Sequence, residues 1–533
     1  MCLLLFNLFI LITMKKYIYI AFATLSLVSC KLDDNLNVND PSVEVVTPDL
    51  YLSAAQSTNY DVEVSDIFQL SNVWMNNWAG NVYWFASPLS AEYQMQVTSA
   101  FVPSNNYWNN SYLAMARYAN IYNHPQADKY AHHSAIAKIL MANSMQYIVD
   151  FYGDAPFSEA FKFGANLTPK YDKGEDIYKS LVLMLNDAVQ DINTTTPEIA
   201  VSSEDIINGG DMQKWVKMAN TIKLRILLRQ SKVTDPTIRS FVTSELQTLQ
   251  NASFITETDG DVTINPGYNN SNAAQQNPLV NNYGYVNFDA SAINTNGWRL
   301  LDISSHFAGL LNGTNPKTSG TVDTRRGIMY LPAGGTIRGI TQGEGQVPGA
   351  TESSFSRMRW LFYNIDANGN SINSDADGYV MTVAESEFLQ AEAAELYPAI
   401  FTNAVGHYNA GVRASFDFFA VPATPANPDP AQTYLNSISS KPYGWNGADG
   451  HIAAIQYQRM VALHYVKPQE TYINYLKTGY PVTPLALTAT QPNKPWRLVY
   501  PSREYNTNTA NVPVINQADV FVKNQFTPFW NRN

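Results

Sequence analysis

The stretch SAIAKILMANSMQYIVDFYGDAPF, residues 134–157, predicts a long helix with a sharp end. Ile136, Leu140, Tyr147 and Phe151 recur at helical spacing and define one apolar face. The following Gly-Asp pair and Pro156 are residues that stop a helix. This stretch therefore predicts a helix with one apolar face that is followed by a turn.

Helical spacing recurs elsewhere in the chain. GEDIYKSLVLMLNDAVQDI (174–192) has acids in its first turn, where the helix dipole favours them, and another helix is predicted to start at the N-cap Asp211. Its apolar positions are Trp215, Met218, Ile222 and Ile226. TVAESEFLQAEAAELY (382–397) and NAVGHYNAGVRASFDFF (403–419) predict a helix pair joined by a short turn. The pattern predicts a mainly α fold built from helix pairs.

Two regions lack sustained periodicity. Residues 251–300 and 315–380 are rich in Asn, Gly, Thr and Ser with scattered aromatics, so they predict long loops with short strands. Ordered loops of this length usually carry function. We therefore expect functional residues in these loops where they are ordered.

The N-terminus carries export features. Residues 14–29 have two lysines, an apolar run and a small-residue end, the layout of a secretory signal, so we take Met14 as the working start and 1–29 as signal peptide. Translation from Met1 would instead extend the apolar run to the length of a transmembrane anchor, with two lysines inside it. Leu27-Val28-Ser29-Cys30 resembles a bacterial lipobox, which implies lipid on the Cys30 thiol. Residues 30–42 then form a polar tether, and 43–533 form one domain.

Composition excludes several functions. Lys and Arg number 34 against 45 Asp and Glu, for a net charge of -11, so nucleic acid is not an expected partner. The two cysteines, Cys2 and Cys30, lie at the extreme N-terminus, which leaves no internal disulfide and no cysteine-based zinc site. No hydrolase or nucleotide-binding motif is present.

The candidate ligand-binding residues are aromatic and lie in two clusters. A flat ring matches the apolar C–H face of a sugar, and amide groups match its hydroxyls. NVWMNNWAGNVYWFASP (72–88) supplies the first cluster and NNYGYVNF to NTNGWR the second. The candidates are Trp74, Asn77, Trp78, Tyr83 and Trp84, then Tyr283, Tyr285, Trp298 and Arg299. Core packing is the alternative for each ring.

Three weaker patterns favour structural roles. Glu385, Glu392 and Glu395 share a helix face, which predicts a solvated face in preference to a catalytic carboxylate pair. Asp366, Asn368 and Asn370 alternate as in a calcium loop, but Ser371 stands where such a loop needs Gly, so a polar turn is favoured over a calcium site. The pair His132-His133 predicts structural polarity and no metal.

Several motifs in order resemble the SusD/RagB nutrient-binding lipoproteins. They are the lipobox, MQYIVDFYGDAPFSEA (145–160), KWVKMANTIKLRILLR (214–229), TVAESEFLQAEAA with HYNAGVRASF, and LVYPSREYNTNTANV near the C-terminus. The resemblance implies tetratricopeptide-like helix pairs, a loop-rich ligand face and an outer-membrane lipoprotein facing the cell exterior. It also implies a SusC-like TonB-dependent transporter as partner and an oligosaccharide as ligand, without catalysis or cofactor. A peptide ligand, a surface glycan hydrolase and a ligand-free structural lipoprotein are the alternatives.

Overall fold

The computed structural model describes residues 46–532. The first part of this range is dominated by long helices with short connections. The helices are α1 (Pro48–Glu63), α2 (Asp66–Trp74), α3 (Ser90–Tyr93), α4 (Val102–Tyr122), α5 (Ala131–Tyr152), α6 (Gly174–Thr194), α7 (Met212–Arg229) and α8 (Pro236–Thr248).

The second part has longer loops between its elements. Its helices are α9 (Pro278–Tyr283), α10 (Ser305–Asn312), α11 (Arg326–Met329), α12 (Val383–Leu396), α13 (Ala404–Phe418), α14 (Pro430–Ile438), α15 (His451–Leu463), α16 (Pro468–Thr478) and α17 (Ser502–Thr507). The strands are β1 (Trp78–Gly80), β2 (Val262–Ile264), β3 (Leu301–Ile303) and β4 (Gly378–Met381). The predicted mainly α fold with short strands is confirmed, although β1 lies outside the two regions predicted to be long loops.

From Pro48 onward the chain packs as one compact unit. The predicted signal peptide 1–29, the tether 30–42 and the lipidated Cys30 lie outside the described residues. None of the helices within residues 46–532 is both long enough and apolar enough to cross a bilayer.

Helices that follow one another in the chain pack in pairs. α4 packs against α5, α5 against α6, and α12 against α13. The predicted cap of α7 is present, because the Asp211 side chain accepts hydrogen bonds from the backbone N–H groups of Gln213 and Lys214. The four apolar positions predicted for α7 are all buried. Local sequence signals thus define the helices and their starts.

Helix α5 differs from its amphipathic prediction because it is buried on nearly every side. α1, α4, α6 and α7 all pack against it, so no face is left for solvent. Its polar side chains consequently find partners inside the protein. Asn143 donates to Glu63 at 3.1 Å, and the Gln146 carbonyl oxygen accepts from Arg225 at 3.1 Å. These bonds satisfy polar atoms that burial would otherwise make costly.

The solvated face predicted for the α12 acids is wrong for Glu385 and Glu392, which are fully buried. Glu385 accepts from Arg225 of α7 at 2.9 Å, and Glu392 pairs with Lys477 of α16. Helices α7, α13 and α15 cover α12, so its acids become members of interior ion pairs. Glu395 is half-buried and lies 2.9 Å from His451.

Two small antiparallel sheets order the loop-rich side. β1 pairs with β3, with Trp78 opposite Ile303 and Gly80 opposite Leu301. β2 pairs with β4, with an irregularity between Val262 and Thr263. Each sheet joins segments that are far apart in the sequence, so these short strands fix the loops relative to the helices.

Candidate ligand-binding site

The β1–β3 pairing brings the two predicted aromatic clusters together. The first cluster runs through β1, and the second ends immediately before β3. Beyond the paired residues, the backbone N–H of Asn81 donates to the carbonyl oxygen of Leu300 at 2.7 Å. The loops that follow β1 and precede β3 therefore leave the sheet side by side.

Five of the nine candidates are core residues in this structure: Trp74, Asn77, Trp78, Tyr283 and Trp298 are all buried. The Trp78 side chain is 0% exposed, and its ring meets the Tyr283 ring edge-on, with centroids 5.4 Å apart. The Asn77 amide donates to Asn72 at 3.0 Å. Fully buried rings cannot stack on a ligand while the core stays closed, so these side chains support the site from beneath.

The exposed candidates begin with Trp84, a residue that is 38% exposed. The Asn81 side-chain oxygen accepts hydrogen bonds from the backbone N–H groups of Tyr83 and Trp84, at 2.8 and 3.0 Å. This turn presents Trp84 to solvent directly after the strand. The next residue, Phe85, is 58% exposed and was absent from the predicted set, although it follows Trp84 in the same aromatic run.

Tyr83 joins this loop to residues 346–355. Its hydroxyl accepts from the backbone N–H of Val347 at 2.8 Å, and its ring stacks on Phe355 with centroids 5.3 Å apart. Gln346 donates to the carbonyl oxygen of Val82 at 2.9 Å. Two loops far apart in sequence are thus held together around the exposed rings.

Arg299 lies against the Trp84 ring, with its guanidinium carbon 3.5 Å from the ring centroid. Its position is fixed by two hydrogen bonds to the Glu352 carboxylate, at 2.9 and 3.0 Å. These bonds lower the pKa of Glu352. A cation over an indole face is an attractive contact, so Arg299 holds the ring in one orientation.

The ion pairs continue inward from Glu352. Arg357 contacts Glu352 at 2.8 Å and the buried Asp302 of β3 at 3.1 Å. Asp302 also accepts from the Asn81 side chain at 2.8 Å. Burial raises the pKa of Asp302 to about 7, and Arg357 opposes that shift. A single chain of polar contacts therefore links the exposed platform to the strand beneath it.

A second group of rings lies beyond Arg357, whose guanidinium carbon is 5.1 Å from the Trp298 ring centroid. Tyr285 packs on Trp298 at 4.5 Å and stacks on Tyr363 at 5.2 Å, measured between centroids. Tyr363 is 38% exposed. We define the loop face as the surface residues Tyr83, Trp84, Phe85, Tyr285, Arg299, Phe355 and Tyr363.

Besides Phe85, sequence reasoning missed four residues that form or support this surface: Glu352, Phe355, Arg357 and Tyr363. They lie in SSFSRMRWLFYN, residues 353–364, or just before it, where aromatic and basic residues alternate. That composition was a signal for a surface of mixed character. Apart from the Glu352–Arg357 pair, their partners are more than 50 residues away in the chain, and local sequence contains no information on that pairing.

The segment with the weak calcium pattern forms a turn closed by its own side chain. One Asp366 carboxylate oxygen accepts from the backbone N–H groups of Asn368 and Asn370, both at 2.8 Å, and the other accepts from the Asn370 amide at 3.0 Å. These bonds lower the pKa of Asp366. Among residues 46–532, no cluster of three or more His, Cys, Asp or Glu side chains is arranged to hold a metal ion.

The two histidines at the start of α5 have separate protein partners. His133 lies 2.8 Å from Glu204, and His132 lies 3.0 Å from the carbonyl oxygen of Thr195. The Nε2 atom of each ring is therefore engaged by a structural contact.

The fold and the loop face together define a helical protein with an aromatic, loop-built surface. A family model described as "Starch-binding associating with outer membrane" matches residues 39–503, so the chain belongs to this SusD-like family. The family resemblance predicted from the motifs is confirmed. Among curated proteins, none matches the sequence significantly.

Solved structures share the fold. A chitin-binding SusD homolog from Flavobacterium johnsoniae superposes with a TM-score of 0.66 at 18% identity, covering 90% of this chain and 98% of its own. A Bacteroidetes AC2a SusD-like protein superposes with a TM-score of 0.67 at 21% sequence identity, covering 91% of this chain and 100% of its own. A SusD homolog from Bacteroides vulgatus superposes with a TM-score of 0.65 at 21% sequence identity, covering 88% of this chain and 93% of its own.

Proposed function

We propose that this protein binds an oligosaccharide on the loop face and passes it, chemically unchanged, to a SusC-like TonB-dependent transporter. The observation that carries the proposal is the exposed Trp84 ring, fixed by Arg299 and the turn at Asn81. A ring fixed before the ligand arrives loses little conformational freedom on binding. Aromatic faces beside charged and amide groups match both surfaces of a sugar.

The anchoring part of the proposal rests on Cys30. The lipobox pattern supports lipidation, and two or more acyl chains would hold the protein stably at a membrane. The family description, which names association with the outer membrane, supports that location. The acidic, turn-rich residues 31–42 would then act as a tether between the lipid and the folded unit.

The acids singled out by sequence do not suit glycan hydrolysis. Glu385 and Glu392 are buried in ion pairs with Arg225 and Lys477. A glycosidase needs two carboxyl groups that flank a bond in an open cleft. We therefore propose binding without cleavage.

The test uses the chain from Lys31 onward, which contains the whole compact unit. It is incubated with starch and chitin oligosaccharides and with peptides, and both binding and ligand mass are measured. We expect an oligosaccharide to bind and to be recovered at its original mass. Shortened sugars would establish a hydrolase, and binding of peptides alone would overturn the proposed ligand class.

A further inference from the structure

A second groove lies away from the loop face. It is formed by α4, the segment 156–169 and α17, and its volume is about 390 Å³. This volume falls within the range of small-ligand sites in proteins. No residue of the loop face lines it. Its lining residues include Trp108, Asn109, Tyr112, Phe161, Arg503 and Glu504.

Aromatic rings form one side of the groove and are held in place. The Tyr112 and Phe161 rings lie within 27° of parallel, with centroids 5.8 Å apart, and Trp108 packs on Tyr112 at 4.9 Å. The Tyr112 hydroxyl donates to the carbonyl oxygen of Pro156 at 2.8 Å. Phe161 has a backbone φ of 59°, a conformation that bulky residues rarely adopt without a surrounding structure that enforces it.

Polar groups lie beside these rings. Tyr171 donates to the Glu504 carboxylate at 2.7 Å, which fixes that acid at the rim. Within residues 46–532, the Arg503 guanidinium and the Asn109 amide have no side-chain hydrogen bond to the protein. The groove therefore offers fixed rings together with donors and acceptors that remain available.

We propose that this groove is a second glycan-binding site, which takes a neutral sugar ring of the same class as the loop face. The inference rests on the proposed function for the ligand class. A purely apolar ligand would cover Arg503 and Glu504 without pairing them, which is costly. An anionic ligand would meet the fixed Glu504 carboxylate at the rim. A neutral sugar satisfies both the rings and the polar rim.

A further groove adjoins this one. The exposed Leu113 lines both, and the adjoining groove, of about 590 Å³, is lined by polar residues that include Asp61, Asn110 and Arg117. Asn281 and Asn282 line its other side, and their carbonyl oxygens accept from the Asn294 amide at 3.4 and 3.0 Å. Asn294 belongs to the loop that carries Tyr285, so these hydrogen bonds connect the wall of the adjoining groove to a loop that contributes to the loop face.

The test is calorimetric titration of the chain from Lys31 with maltoheptaose and with chitohexaose. Ala116→Trp fills the groove, Arg503→Ala removes a rim donor from an exposed position, and Trp84→Ala disables the loop face. Leu183→Trp, at an exposed position of α6, is the matched control for adding an indole. We expect Trp84→Ala to lower the number of bound ligands and keep residual binding. Adding Ala116→Trp or Arg503→Ala should weaken that residual binding by about tenfold or more.

The outcomes separate the two sites. If Trp84→Ala alone removes all binding, and Ala116→Trp and Arg503→Ala leave affinity and stoichiometry unchanged, the second site is wrong and the proposed function stands. If Trp84→Ala leaves affinity and stoichiometry unchanged and Ala116→Trp alone removes all binding, the groove is the glycan site and the loop face is not. If no form binds either sugar, both proposals fail. A protein or peptide that occupies the groove in place of the sugars also overturns the inference.

Discussion

Asn81 couples the exposed platform to the buried strand. Its side-chain oxygen orients the backbone of Tyr83 and Trp84, and its amide donates to Asp302. Asp302 in turn contacts Arg357, which shares Glu352 with Arg299. The buried Asp302 carboxyl is thus connected to the exposed Trp84 ring through a series of side-chain contacts.

Asp302→Asn should change how stability depends on pH. The pKa of Asp302 is raised from 3.8 to about 7 by burial, so between these values the folded state holds a proton that the unfolded state has released. The stability that the Asp302 carboxyl contributes is therefore fully present at low pH and is lost as the pH rises toward 7. Between pH 4 and pH 7, the unfolding free energy of the unmodified protein should fall by roughly 2–4 kcal/mol relative to that of Asp302→Asn.

The measurement is denaturant unfolding of both proteins from pH 4 to pH 8. The difference between their unfolding free energies should grow up to about pH 7 and then level off. A difference that stays constant over the whole range would show that Asp302 is ionised throughout.

At the residue scale, the sequence predicted which residue types cluster near the loop face, but not their exposure. Trp78 and Trp84 occupy the same aromatic run, yet one is on a strand that faces the core and the other is in the turn after it. A three-residue strand is too short to leave an alternating pattern that sequence could reveal. Which ring faces solvent depends on the β1–β3 pairing, which joins residues more than 200 positions apart.

At the element scale, the β1–β3 sheet is the base on which the loop face is built. Trp78 of β1 packs against Phe68, Tyr283, Phe362 and Tyr465, which come from four separate parts of the chain. The Gln342 amide donates to the backbone carbonyl of Trp78 at 2.6 Å. Side-chain packing and backbone hydrogen bonding therefore both hold the sheet in place.

Trp78→Ala and Trp84→Ala should differ sharply in stability. Removing the buried Trp78 ring leaves a cavity and should cost about 3–5 kcal/mol of unfolding free energy. Removing the partly exposed Trp84 ring should cost about 1 kcal/mol, chiefly through the lost contact with Arg299. Urea unfolding of the two variants measures both values, and equal losses would contradict the assignment of Trp78 to the core and Trp84 to the surface.

The helices were more predictable than their surroundings. Apolar spacing and the Asp211 cap placed α7 correctly, because these signals are local. The burial of Glu385 and Glu392 was not predictable, since their partners Arg225 and Lys477 come from α7 and α16. A charged stripe on one helix predicts a solvated face unless the complementary charges on other helices are known.

At the scale of the whole molecule, residues 46–532 combine a helical scaffold with an ordered loop-rich surface. The order of motifs along the sequence predicted the SusD-like family, and the match over residues 39–503 confirms it. Ligand identity is not encoded in that order, because the rings and ion pairs of the loop face come from separate loops. The lipid anchor at Cys30 remains a prediction of the N-terminal sequence.

The most direct test of glycan binding by the loop face is titration of the unmodified chain and Trp84→Ala with maltoheptaose and chitohexaose, with Leu183→Ala as the control for loss of an exposed side chain. We expect Trp84→Ala to weaken binding at the loop face by about tenfold or more while Leu183→Ala retains full affinity. Identical affinity and stoichiometry in all three proteins would contradict the proposal that the loop face binds the glycan.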